Sequence, residues 1–171
     1  LYTLSGMVAE QGSAIRLNAE TIESADFAFA KGRLSLEHGG RAPQITTERH
    51  MRIDKGRHPL LDSRDCVPVD FEIGRPHGAD TVRGVVITGP NTGGKTVTLK
   101  LVGLFSVMAQ CGLHLPCDGA EICMNGAVLC DIGDRQDIAQ NLSTFSAHIT
   151  NVIEILNHAA PDTLVLLDEL G

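Results

Sequence analysis

Gly89-Pro90-Asn91-Thr92-Gly93-Gly94-Lys95-Thr96 satisfies the pattern G-x-x-x-x-G-K-[ST] in full, and these residue types at this spacing suit one task, the holding of a polyphosphate. Glycines at Gly89, Gly93 and Gly94 let the backbone bend until successive N–H groups point inward around phosphate oxygens. A helix that starts at Lys95 and Thr96 adds the positive end of its dipole at the same point. Lys95 then reaches the β- and γ-phosphates, and the Thr96 hydroxyl coordinates Mg²⁺. Gly89, Pro90, Asn91, Thr92, Gly93, Gly94, Lys95, Thr96 and Val97 are the candidate ATP contacts. The competing reading is a glycine-rich turn with an incidental Lys-Thr pair.

The second half of a site decides between them. Leu164-Val165-Leu166-Leu167-Asp168-Glu169 is an apolar run ending in two carboxylates, about 75 residues after the loop. A buried strand that delivers Asp168 at its C-terminal end puts a carboxylate where open α/β sheets bind ligands. Asp168 holds Mg²⁺ there, directly or through water, and Glu169 orients and polarises the attacking water as general base. Alone, such a pair reads as a solvated helix cap.

The elements that must position these residues follow from periodicity. Ile15 to Glu37 suggests a helix, with Ile22, Ala25, Phe29 and Gly32 recurring at threes and fours. Gly39, Gly40 and Pro43 break the pattern, so 1–40 reads as the end of a helical region and 41–171 as the start of an ATPase domain. Gln44–Thr46, Met51–Ile53 and Val67–Ile73 read as strands. Val85–Thr88 is a β-branched run expected of a central strand covered on both faces. Thr96–Gln110 is apolar nearly all round, a helix buried under the sheet. Ala127–Ile132 is a strand, and Ser143–His158 an amphipathic helix stopped by Pro161. Strands alternating with helices predict a mostly parallel sheet flanked by helices, and the four residues after Leu167 suggest a domain cut just past its acidic-ended Walker B strand.

Composition narrows the classes. At 171 residues and 43% hydrophobic content the chain can bury a real core, and a net charge of −7 leaves no basic field to hold a nucleic-acid backbone. No apolar run is long enough for a membrane span and no signal peptide opens the chain, so the cytoplasm is expected and no membrane partner. Five cysteines without a C-x-x-C pair fit reduced thiols. Cys111, His114 and Cys117 have a spacing similar to metal ligands, but no second pair follows, so small core residues around a helix end is the plainer reading.

The loop at 89–96, Asn141-Leu142-Ser143-Thr144-Phe145-Ser146 and the ending Leu167-Asp168-Glu169-Leu170-Gly171 together resemble the ATPase domain of the MutS family. Thr92, Thr96-Val97-Thr98-Leu99-Lys100, the Ser-Thr-Phe-Ser-Ala-His stretch, Arg57-His58-Pro59 and Ile132-Gly133-Asp134 look most like its second bacterial branch, the MutS-two proteins. The resemblance implies a P-loop ATPase fold of the ABC type that forms a homodimer, each ATP lying between the loop of one subunit and a signature segment of the other. It implies that Ser143, with Thr144 beside it, faces the partner's γ-phosphate in trans; as an N-cap, either could present helix N–H groups to an anion. For the whole protein it implies DNA binding through regions outside 1–171, restraint of recombination, action at stalled ribosomes and a separate nuclease module.

In one place the chain departs from the family pattern. The segment that helps hold adenine reads Cys66-Val67-Pro68-Val69-Asp70, with a cysteine in the stacking position and a valine where asparagine is usual. Cys66, Val67 and His58 stand as the adenine candidates. His148 beside the signature helix reads as a structural or interface histidine, and no motif arranges a Ser-His-Asp set. The alternatives are a nucleotide-binding subunit of a membrane transporter, whose Leu-Ser-Gly-Gly-Gln signature is missing, and an inactive nucleotide-binding fragment.

Overall fold

The computed structural model describes residues 2–62, 66–74, 76–77, 80–90, 93–133 and 141–168, with backbone alone at 76–77, 80 and 141–147. Two helices open it, α1 (Tyr2–Glu10) and α2 (Gly12–Glu37), and neither buries a residue. The spacing of Ile22 and Phe29 forms helix, yet both side chains stay exposed. Gly39 at φ +59° turns the chain off α2, a left-handed conformation that a side chain would strain. Beyond it, Arg41 bridges to Leu115, and Ser35 Oγ and His114 Nδ1 form a 2.7 Å hydrogen bond. Among the described residues no helix is long and apolar enough to cross a membrane.

Four strands form the main sheet: β1 (Gln44–Thr46), β2 (Met51–Gly56), β3 (Val69–Ile73) and, after helix α3 (Lys95–Gln110), β6 (Gly119–Cys123). Their order is β1-β6-β2-β3. Only β1 and β6 run parallel, while β2 is antiparallel to both β6 and β3. A short hairpin, β4 (Pro76–His77) with β5 (Asp80–Thr81), follows β3. A separate parallel pair joins β7 (Ala127–Asp131) to β8 (Thr163–Leu167), with helix α4 (Asn141–His158) between them in sequence.

This arrangement corrects the expected mostly parallel, ABC-type sheet ending at a Walker B strand. The fold is α/β, as expected, but its sheet is mixed. Val85–Thr88 carries no strand, and Val86 is 86% exposed. A β-branched run expresses its preference only against a partner edge, and no ladder forms along 82–88 among the described residues. β6, absent from the sequence reading, fills the centre instead. Its five residues include a glycine and a glutamate, so no alternation announces it.

The core lies between α3 and the strands. Leu101, Val102, Phe105, Met108 and Ala109 of α3 pack with Met51, Ile53, Leu115, Ile122 and Leu166. Full burial of a side chain such as Phe105 contributes about 1.5–3 kcal/mol. The opposite side of α3 is less covered than its composition suggested, since Val97 and Val107 remain exposed. Gly103 sets the approach of α3 to β8, because a Cβ there would lie 2.7 Å from Leu166 Cδ1. Within the core Asn125 Nδ2 donates to Ser106 Oγ at 2.8 Å.

Candidate functional site

The tight packing of α3 on β8 brings the two halves of the motif together. Thr96 stands in the first turn of α3 and Asp168 directly after β8, and Thr96 Oγ1 donates to Asp168 Oδ2 at 2.7 Å. The Asp168 N–H donates in turn to the Asp131 carbonyl at the end of β7, at 2.9 Å. That bond extends the parallel ladder one step past Asp131 and Leu167. The C-terminal ends of β7 and β8 therefore lie side by side, each carrying an aspartate.

The loop itself needs its glycines for backbone shape. Gly89 has φ +147° and Gly94, the N-cap of α3, has φ +76°. A Cβ at either would meet no heavy atom within 4 Å, so conformation rather than crowding calls for glycine, and open space adjoins the loop. Gly94 offers no capping side chain, and the first N–H groups of α3 lack intrahelical acceptors by geometry. Gly93 N–H donates to the Pro90 carbonyl at 2.9 Å, and Lys95 Nζ folds back onto the Gly89 carbonyl at 2.6 Å. Asn91, Thr92 and Glu169 lie outside the described residues.

The other expected residues are less gathered. Val97 is a partly exposed residue of the first turn of α3. Ser143 lies in the first turn of α4, where backbone alone is described. Val67 is 79% exposed and Cys66 half-buried. His58 is half-buried; burial, then the positive charge of Lys100 further along α3, push its imidazole below the ordinary value and favour the neutral ring. His114 and Cys117 turn elsewhere, His114 toward Ser35 and Cys117 into the core.

Sequence reasoning missed Asp131. Asp131 is 9% exposed, and its carboxylate accepts from His148 Nδ1 at 2.7 Å on Oδ2 and from Asn151 Nδ2 at 2.8 Å on Oδ1. A carboxylate only accepts, so His148 Nδ1 carries the hydrogen. Burial alone would raise this carboxyl; the bonds from His148 and Asn151 outweigh it and hold Asp131 below the usual carboxylate value. The signal was present in the sequence: an aspartate ending an apolar run, as Asp168 does.

The chemistry of the donor set suits a hard cation beside a polyphosphate. Thr96 and Asp168 converge a hydroxyl and a carboxylate, the oxygen ligands that Mg²⁺ takes, next to a glycine loop with open space. A cleft of about 510 Å³ lined by Arg49, Arg83, Asn125, Thr163 and Leu164 lies at the other end of β8 from Asp168. Since ligands in α/β folds sit at the C-terminal ends of strands, the loop and not that cleft is the candidate site.

The chain is similar to known proteins. The family described as MutS domain V matches residues 85–171. Along the whole chain, similarity is 47% identity to an Endonuclease MutS2 of Clostridioides difficile (strain 630) and 46% to one of Alkaliphilus metalliredigens (strain QYMF). An Endonuclease MutS2 of Symbiobacterium thermophilum is 49% identical, again over 100% of the chain. In each case the chain spans 21% of the relative's length.

Proposed function

This chain belongs to the MutS family, in its MutS2-type branch, and from that premise we propose that it binds and hydrolyses ATP at residues 89–96 to drive a dimeric, DNA-binding clamp. The observation that carries the reading is the 2.7 Å contact of Thr96 with Asp168, since it joins a phosphate-binding loop to a strand-end carboxylate.

Catalysis of this type is mainly positioning and charge stabilisation. The backbone N–H groups of the loop and the start of α3 receive the β- and γ-phosphates. Lys95 exchanges its contact with the Gly89 carbonyl for phosphate oxygens. Thr96 and Asp168 would hold Mg²⁺, which when bound neutralises charge on the phosphates. Glu169, one residue beyond Asp168, takes the proton of the attacking water as general base. Ser143 acts in trans, so that the first turn of α4 in one subunit faces the γ-phosphate held by the other. His58, neutral and near α3, is a side chain suited to the adenine face.

The relatives are named endonucleases and are about five times as long as this chain. Contacts with DNA, or with ribosomes, and any nuclease step are assigned to segments of the whole protein other than residues 1–171, whose net charge is −7. The test uses full-length protein and measures ATP binding and phosphate release separately. Glu169→Gln is expected to keep binding and to lower kcat by at least about a hundredfold, within the range for loss of a general base. Wild-type turnover in Glu169→Gln would remove Glu169 from the mechanism.

A further inference from the structure

Asp131 holds two things at once. Its carboxylate binds α4 through His148 and Asn151, three residues apart and so on one helix face. Its carbonyl accepts the Asp168 N–H, and Asp168 accepts from Thr96. A continuous path of three hydrogen bonds in series, the first made by both His148 and Asn151, thus runs from α4 to the first turn of α3. Asn151 Nδ2 also approaches the Cys130 carbonyl at 3.4 Å, fastening the same strand end.

We propose that His148 and Asn151 are positioning residues for ATP turnover: by clamping Asp131 they fix Asp168 in register with Thr96, and they fix the helix whose first turn carries Ser143. This inference rests on the ATPase reading. Ordinary packing gives a weaker account of the cluster. Ile155 of α4 is already 5% exposed, so apolar contact anchors the helix. Burial of a carboxylate costs free energy unless it is fully hydrogen-bonded. Here that cost falls on a residue whose backbone also holds Asp168. The neighbouring position of β8 is the plain aliphatic Leu167, which pairs with Asp131 in the ladder. The clamp also links two halves of a composite site: a shift of α4 acts on Asp168 within the same subunit while moving Ser143 toward or away from the other.

The test compares His148→Ala, His148→Asn and Asn151→Ala in full-length protein with wild type and with Lys95→Ala. Asparagine is chosen because its Nδ2 can donate from nearly the place of His148 Nδ1. ATPase kcat and KM are measured together with hydrogen–deuterium exchange at the Asp168 amide, nucleotide absent. His148→Ala is expected to lower kcat about tenfold, as loss of a supporting contact to a ligand does, with KM within about twofold of wild type. His148→Asn is expected to recover most of that loss. Asn151→Ala, which leaves the His148 bond intact, should move kcat in the same direction by less. The Asp168 amide should exchange faster in both alanine variants. Wild-type kcat in His148→Ala, unchanged exchange at Asp168, or a loss that asparagine does not relieve overturns the proposal. Failure of the ATPase reading is separate: it appears as Lys95→Ala turning over ATP like wild type, and the exchange measurement still judges the clamp.

Discussion

Thr96 Oγ1 and Asp168 Oδ2, on residues 72 positions apart in sequence, lie 2.7 Å from each other. Helix α3 and strand β8 each present one oxygen, and the core packing of Leu101, Phe105 and Leu166 sets their separation. A hydrogen bond to a charged group contributes about 1.5–3 kcal/mol. If the same two oxygens hold Mg²⁺, Thr96→Ala in the full-length protein should raise the Mg²⁺ concentration for half-maximal ATPase by about tenfold or more. Thr96→Ser, which keeps the hydroxyl, should restore it. An unaltered Mg²⁺ dependence in Thr96→Ala excludes Thr96 as a metal ligand.

Lys95 separates recognition of a triphosphate from recognition of a nucleoside. Its ammonium group rests on the Gly89 carbonyl at 2.6 Å, so it already lies along the loop. A charge-assisted bond to phosphate of about 1.5–3 kcal/mol corresponds to a Kd change of roughly tenfold to a hundredfold. Lys95→Ala should therefore weaken ATP by that factor in calorimetric titration and leave AMP nearly unaffected. Equal loss for both nucleotides would point to a collapsed loop rather than a missing phosphate contact.

The motif halves were legible in the sequence because their chemistry is local: glycines, lysine and threonine at fixed spacing, and carboxylates after an apolar run. Helices α3 and α4 and strands β1, β7 and β8 were legible from periodicity for the same reason. Strand pairing was not. Val85–Thr88 has the composition of a central strand, yet a ladder needs an edge beside it, and composition does not name one. β6 shows the converse, since Gly119–Cys123 looks unremarkable and becomes a strand through β1 on one side and β2 on the other. Asp131 ends an apolar run as Asp168 does, but its partners His148 and Asn151 lie 17 and 20 residues away, and no local pattern names them.

Gly103 controls how closely the helix bearing Thr96 meets the strand that leads into Asp168. A Cβ there would come within 2.7 Å of Leu166 Cδ1, and Leu166 is only 6% exposed, so its side chain has little room to yield. The gain in helix propensity over glycine is at most about 1 kcal/mol and smaller for a β-branched residue. Overpacking costs typically about 1–3 kcal/mol. Gly103→Val should lower the urea midpoint by the equivalent of that cost and, by pushing α3 off β8, also weaken Mg²⁺-dependent ATP hydrolysis. A variant as stable as wild type would mean that Leu166 repacks freely.

Cys117 gives the core a dependence on alkaline pH. The residue is 2% exposed, and burial, then the negative charge of Asp118, push its thiol from 9.0 up to about 11. The folded state thus favours the neutral thiol. Below pH 9 the unfolded chain keeps its proton as well, and the stabilisation is fully present. Above it the unfolded chain releases the proton first, so stability falls as pH rises toward 11. Cys117→Ala removes the titrating group, and its urea midpoint should decline less than that of wild type over this interval. At pH 8 the same burial should make Cys117 react with iodoacetamide at least about tenfold more slowly than the exposed Cys111, because the thiolate is the reactive form. Equal alkylation of the two cysteines, mapped by peptide mass spectrometry, would show that the segment between α3 and β6 opens readily in solution, and the pH dependence would then vanish with it.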